Sequence, residues 1–181
     1  SIMKLTFMDP KELTPHEDVI VEVLKKRLHE ILTSTRIYPI VVEKDHRVIL
    51  DGHHRWYATL QLGTKVPAYV VSYSEVGLDS WSLNIVPDFI VQSGNAVCIG
   101  TAACSDDKFS FYWSLHAELT RNGVDPLAVK GVSGKLRLPA LDKDDVIRAA
   151  KKGLVYPPKT SRHIINFNVE PVMNVLSPWT H

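Results

Sequence analysis

The stretch "IVVEKDHRVILDGHHRWYATLQLG", residues 40–63, constrains the fold more than any other part of the chain. Two apolar runs flank a polar turn at Lys44 to His46, which is the pattern of a β-hairpin. The second run stops at Asp51-Gly52, a helical pattern starts at once, and Gly63 supplies a C-terminal breaker. A chain that turns from strand to helix across one glycine has to lay that helix back on its own sheet. Mixed α/β architecture is the expected class.

The neighbouring segments extend the same plan. "LTFMDP" reads as a short strand entering a turn, and "VPAYVVSY" as a strand apolar enough to be central. Between the first strand and the hairpin, "TPHEDVIVEVLKKRLHEILTSTR" predicts a helix, because Ile20, Leu24, Leu28 and Ile31 recur at helical spacing. Its start is expected at Thr14 as N-cap, with Pro15 at the first helical position and Glu17 closing a capping box. The order strand, helix, hairpin, helix, strand makes residues 1–78 one mixed α/β module, and residues 79–181 a C-terminal lobe.

The lobe has weaker signals. "DFIVQ" and "AVCIG" read as strands, "FSFYWSLHAELTRNG" as a helix ending at Gly123, and "LDKDDVIRAAKKG" as a helix capped by Asp142 and stopped by Gly153. Pro157 and Pro158 keep the following tail extended. Cys98 and Cys104 form no CxxC, and two buried thiols in a reducing cytoplasm are expected, with pairing as the alternative. A net charge of +1 gives no case for nucleic acid as a partner, and no apolar run approaches the ~20 residues of a membrane span. The start, "SIMKLTFMD", is too polar for a secretory signal, so a cytoplasmic protein is expected.

Four places have residues suited to chemistry. At the Asp51-Gly52 corner, His53, His54 and Arg55 crowd a helix start, where each cation is opposed by the helix dipole by ~0.3–1 kcal/mol. A bound anion would offset that. Backbone amides at a helix start suit phosphate oxygens, Arg55 can fork onto a phosphate, and Asp51 has the charge to hold Mg2+ against one. The structural account is that Asp51 caps the helix and the cations are surface groups. Glu17 is explained by its capping box, or else points into a cleft as a general base. "KTSRH", Lys159 to His163, is an exposed polar strand or a ligand-holding segment, with Thr160 and Arg162 on one face and Lys159, Ser161 and His163 on the other. Trp81, in "LDSWSLN", covers core or lids a small ligand.

Three motifs together, "PHE" at Pro15 to Glu17, "ILDGHHRW" at Ile49 to Trp56 and "GLVYPPKTSRHIINFN" at Gly153 to Asn168, resemble the free L-serine kinases of archaea, in the ParB/sulfiredoxin-like fold group. The resemblance covers most of the first 75 residues and the last 40, and residues 74–139 match poorly. It implies a small mixed sheet with flanking helices and a lobe whose tail, residues 153–168, returns to the active site. It also implies transfer of a phosphoryl group from ADP or ATP, with Mg2+, to the hydroxyl of L-serine, giving O-phospho-L-serine for cysteine synthesis.

Glu17 falls on the catalytic base of that family. Asp51, Gly52, His53, His54 and Arg55 fall on the segment around the nucleotide phosphates, with Asp51 at the metal. Trp81 falls near the serine, and Thr160, Arg162 and His163 face the substrate and the transferred group, while Ser161 replaces a threonine. Arg55, His54 and Arg162 are the candidates for neutralising charge during transfer. Sulfiredoxin chemistry needs a cysteine where His53 stands, and a ParB-type DNA clamp needs a basic two-helix region that is absent here. The alternatives are a ParB-like nucleotide switch without turnover, or a kinase for another small hydroxyl compound.

Overall fold

A computed structural model of the chain describes residues 3–174 and 176. In chain order the elements are β1 (Lys4–Met8), a 3-10 turn (Pro10–Glu12), α1 (Val21–Thr33), β2 (Arg36–Ile37), β3 (Ile40–Glu43), β4 (Ile49–Asp51), α2 (His53–Leu62) and β5 (Val66–Val71). A second 3-10 turn (Tyr73–Glu75) leads to β6 (Val76–Asp79), β7 (Ser82–Leu83), β8 (Ile90–Ser93), β9 (Ala96–Ile99), β10 (Ala103–Cys104) and α3 (Lys108–Arg121). The chain ends with β11 (Lys130–Gly131), β12 (Leu136–Arg137), α4 (Lys143–Lys151), β13 (Arg162–Ile165) and β14 (Val172–Met173).

Two compact units result: one from the described residues of 1–77, 146–155 and 163–181, the other from residues 78–145 and 156–162. The polypeptide therefore passes from one unit to the other four times.

The first unit is a four-stranded mixed sheet in the order β1-β5-β3-β4. β5 is central, antiparallel to β1 and parallel to β3, as its continuous apolar run requires. The hairpin β3–β4 forms as expected, and Glu43 caps its turn by accepting the amides of Asp45 and His46 at 2.6 and 2.8 Å. One apolar cluster joins Met8, Leu13, Ile40, Val42, Ile49, Trp56, Val66 and Ala68. A second joins α1 to α2 through Leu24, Ile31, Ile37 and Ala58. Trp56 also donates its indole N–H to Pro10 O at 2.7 Å, which ties α2 to the first turn.

The start of α1 differs from expectation. The helix begins at Val21, its N-cap Ile20 has no side-chain capping bond, and Thr14 to Ile20 is not helical. Tertiary partners explain this. Thr14 forms a parallel bridge with Val48, just before β4, donating its amide to Arg47 O and accepting from Ile49 N–H at its carbonyl, both at 2.9 Å. Thr14 also precedes a proline, which favours extended backbone over helix. The capping box does not form, and Glu17 does not cap α1.

In the second unit, β8, β9 and β10 form one antiparallel sheet, and β7 is flanked by β11 and β12 in another. The helix α3 buries Phe111, Tyr112, Leu115 and Leu119. Cys98 and Cys104, opposite each other on β9 and β10, are joined as a disulfide, so the expectation of two free thiols is corrected. The sequence does not reveal this because the pairing depends on strand register and not on spacing. No helix among the described residues is long and apolar enough to cross a membrane.

Candidate active site

The site in the first unit is built at the N-terminus of α2. Gly52 has φ +98°, a left-handed conformation, and a Cβ there would lie 2.5 Å from Ile40 Cγ2. Glycine is required on both counts. No side chain caps this helix, and its first internal bond runs from Trp56 N–H to Gly52 O at 2.9 Å. The amides of His53, His54 and Arg55 precede that bond, which is where a helix offers donors to an anion.

Across this N-terminus runs the Pro15–Ile20 segment. His53 Nε2 accepts the amides of His16 at 3.1 Å and Glu17 at 3.3 Å, and His54 Nε2 accepts the amide of Ile20 at 2.9 Å. The two histidines expected to face an anion thus use one ring nitrogen each to hold the segment that carries Glu17. An imidazole that accepts at Nε2 is neutral there. Burial agrees: it pushes His53 well below its ordinary pKa, with the neighbouring His16, His163 and His54 adding to the effect. Burial also lowers His54, next to Arg27 and Arg55. The expected crowd of three cations is corrected to one, Arg55, so the dipole penalty is largely avoided.

Arg55 is itself mostly buried, which lowers its pKa against the raising effect of Asp51. Its Nη2 lies 3.5 Å from Asp51 Oδ2 and donates to Pro39 O at 3.4 Å. It lines a pocket with Glu30, Ile31, Ser34, Arg36, Ile37 and Tyr38. Asp51 itself is exposed, at the end of β4.

Behind Glu17 lies a buried group of rings. His16 donates from Nδ1 to Ile49 O at 2.7 Å, and its Nε2 is 3.6 Å from Glu17 Oε2. Full burial lowers the His16 pKa to about 4, against the raising effect of its Ile49 bond. The His16 ring packs edge-on against His53 at 4.6 Å and His163 at 5.4 Å between centroids. His163 Nε2 pairs with Tyr73 OH at 2.7 Å, and burial raises the Tyr73 pKa. Glu17, His53, His54 and His163 therefore come together in one unit. Tyr73 and His16 are additions; His16 was visible inside the "PHE" motif, whereas nothing local marks Tyr73.

The second unit carries the other expected residues. Trp81 donates its indole N–H to Ser161 O at 3.1 Å, with Lys159 Nζ 4.6 Å from its ring centroid. Lys159 has φ +60°, so the strand-like alternation expected across "KTSRH" starts only after it. Its ammonium donates to Leu127 O and Lys130 O, and burial lowers its pKa. Thr160 is buried and donates to Pro157 O at 2.7 Å. Arg162 donates to Asp79 Oδ2 at 2.9 Å and to Ser80 O at 3.2 Å, and Arg137 binds the same carboxylate. In this unit sequence reasoning missed Asp79. Its role depends on two arginines distant in the chain.

No protein-family model matches the sequence. A ParB-like protein of Sulfolobus acidocaldarius is 32% identical, with 97% of this chain and 98% of that one covered. An ATP-dependent L-serine kinase of Staphylothermus marinus is 29% identical over 88% of this chain and 85% of its own. The ADP-dependent L-serine kinase SerK of Thermococcus kodakarensis is 25% identical over 92% and 89%. Among solved structures, a free serine kinase in complex with AMP superposes with TM-score 0.64 at 18% identity, covering 93% of this chain and 90% of that one. SbnI from Staphylococcus aureus gives TM-score 0.67 at 16% identity, covering 96% and 87%. These superpositions establish a shared mixed α/β fold.

Proposed function

The chain belongs to the ParB-like proteins, and from that premise we propose that it is a free L-serine kinase using ADP or ATP. One observation supports this reading most. Glu17 takes no part in the α1 cap, and the His53 bond to its amide holds its backbone at the α2 N-terminus. A carboxylate beside an uncapped helix start pairs a general base with an anion site, and phosphoryl transfer needs both. Relatives at 25–29% identity carry the names of ATP- and ADP-dependent L-serine kinases.

The nucleotide phosphates lie on the amides of His53, His54 and Arg55, next to Gly52. Arg55 and His54 support the transferred group, Arg55 by charge and His54 by position. Glu17 takes the proton of the serine hydroxyl as the oxygen attacks phosphorus. No group of three or more His, Cys, Asp or Glu among the described residues is arranged as a metal cage. Mg2+ binds through one or two carboxylates plus substrate phosphates, and Asp51, exposed at the end of β4, would be its protein ligand. The ion would supply charge neutralisation on the phosphates. His163 in the first unit and Trp81, Thr160 and Arg162 in the second are proposed as contacts for serine and the transferred group. The reaction belongs to the cytoplasm, where adenine nucleotides are available.

Incubation of the protein with Mg2+, L-serine and ADP or ATP in turn, with detection of phosphoserine, tests the proposal. Product is expected with at least one donor, and its absence with both refutes turnover. The second reading, a nucleotide-responsive module without turnover, draws on the ParB-like name of the 32% relative. It predicts nucleotide binding unaffected by Glu17→Gln and no phosphoserine.

A further inference from the structure

We propose that Asn174 is a positioning residue for nucleotide binding, fixing the end of α1 and β2 and, through them, the guanidinium of Arg55. The inference rests on the placement of the nucleotide phosphates at the α2 start, and extends it to a residue far along the chain.

The helix α1 ends without the usual devices. Its C-cap, Ser34, is extended, its last turn carries no basic residue, and Thr35 rather than glycine follows. The last carbonyls of such a helix need partners from elsewhere. Asn174 reaches them from 140 and 143 positions away. Its side-chain amide donates to Ile31 O at 2.5 Å and to Ser34 O at 3.0 Å, and its backbone amide donates to Thr35 O at 2.8 Å. The residue is 2% exposed, so water competes little for these bonds.

The rest of the tail follows the same segment. Where β14 meets β2, Val172 pairs with Ile37 and Met173 with Arg36. Arg36 Nη1 donates to Pro171 O at 3.3 Å, and Val172 packs on the cluster of Leu24, Ile31, Ile37 and Ala58.

The tail thereby holds one wall of a pocket. Ile31, Ser34, Arg36 and Ile37 line it together with Arg55. Two residues past β2, Pro39 O accepts from Arg55 Nη2 at 3.4 Å, so the course of β2 decides where that guanidinium rests. The backbone amide of the same arginine is one of those assigned to phosphate above. A shift of residues 31–37 therefore reaches a nucleotide at α2 through the pocket wall and through Arg55.

The test compares wild type with Asn174→Ala and with Asn174→Gln, which keeps an amide donor on a longer arm. Gly63→Ala is the control for lost stability. Calorimetric titration of each full chain with ADP and with ATP is expected to give a dissociation constant raised about 3- to 30-fold in Asn174→Ala, less in Asn174→Gln, and by less than about twofold in Gly63→Ala. In phosphoserine formation the change falls on KM for the nucleotide, with KM for serine altered less than about twofold. Wild-type nucleotide affinity in both Asn174 variants, with only the melting temperature lowered, overturns the proposal and leaves a structural clasp. Should Asn174→Ala not fold, undiminished affinity in Asn174→Gln overturns it alone.

A second readout needs no ligand. The Arg55 Nε–H resonance in nitrogen-15 spectra of the nucleotide-free protein is expected to shift in Asn174→Gln, and an unmoved resonance overturns the link to Arg55. Weakened nucleotide binding in the variants of a protein that makes no phosphoserine supports the role of Asn174 and refutes only the kinase reading. Failure of the wild type to bind ADP or ATP overturns both.

Discussion

Replacing Gly52 by alanine tests whether the strand-to-helix corner is as constrained as it looks. The residue has φ +98° and ψ 32°. An alanine held near left-handed geometry costs roughly 1–2 kcal/mol. Its Cβ would also meet Ile40 Cγ2 at 2.5 Å, Ile40 Cβ at 3.0 Å and Arg55 Nη2 at 3.1 Å. Ile40 is fully buried in the sheet core and has no room to retreat, so overpacking adds roughly 1–3 kcal/mol. The sum is about 2–5 kcal/mol, or a melting temperature lower by about 4–20 °C for a chain of this size. The control is Gly63→Ala, where φ is +64° but nothing lies within 4 Å of the added carbon. It should show only the conformational part, and the difference between the two variants isolates the clash. In an Ile40→Ala background the Gly52→Ala cost should shrink, because the atom in the way is gone. Thermal unfolding by circular dichroism measures the wild type, the three single variants and the double variant, and nucleotide titration by calorimetry should show weakened binding in Gly52→Ala. If Gly52→Ala melts no lower than Gly63→Ala, the steric argument is wrong.

Other expectations concern charge and covalent links. Glu17→Gln should bind serine normally and lose turnover by ~10²–10⁴-fold, measured by steady-state phosphoserine formation. Burial lowers the His16 pKa from its ordinary 6.5, kept in the unfolded chain, to about 4 in the folded one, so between those values the unfolded chain holds the extra proton. Stability is complete above pH 6.5 and falls as pH drops toward 4, by about 3 kcal/mol from this residue alone, and His53 adds in the same direction. Urea unfolding across this range should give a flatter acid limb in His16→Asn. Reducing Cys98–Cys104, six positions apart, should destabilise the second unit by about 2 kcal/mol, read as a lower denaturant midpoint with a phosphine reductant. Arg162→Lys, which cannot span Asp79 and the Ser80 carbonyl with one planar group, should raise KM for serine more than it lowers kcat.

The parts of this molecule that were legible in its sequence are those whose signals are local. Gly52 and Gly63 bracket α2 because left-handed backbone favours glycine at helix ends, and the apolar run of β5 marks a strand covered on both faces. The motifs at residues 15–17 and 51–55 also named the residues that meet. What failed depended on partners remote in the chain. Thr14 to Glu17 has a complete capping box by composition, yet the Thr14 amide pairs with Arg47 O and the amides of His16 and Glu17 find their acceptor on His53, 36–37 positions away. The charge state of those histidines follows from burial, which single residues do not announce. Lys159 adopts φ +60° although nothing in "PPKTSRH" asks for it; three contacts with residues 127, 130 and 81 hold it there.

Because the backbone shuttles four times between two bodies, no single cut in the gene yields either one intact. A fragment ending at residue 77 lacks the ten residues from 146 to 155 and the strand bearing His163, so it exposes surfaces that the full chain covers. Recombination that trades whole modules at one junction is therefore closed to this architecture.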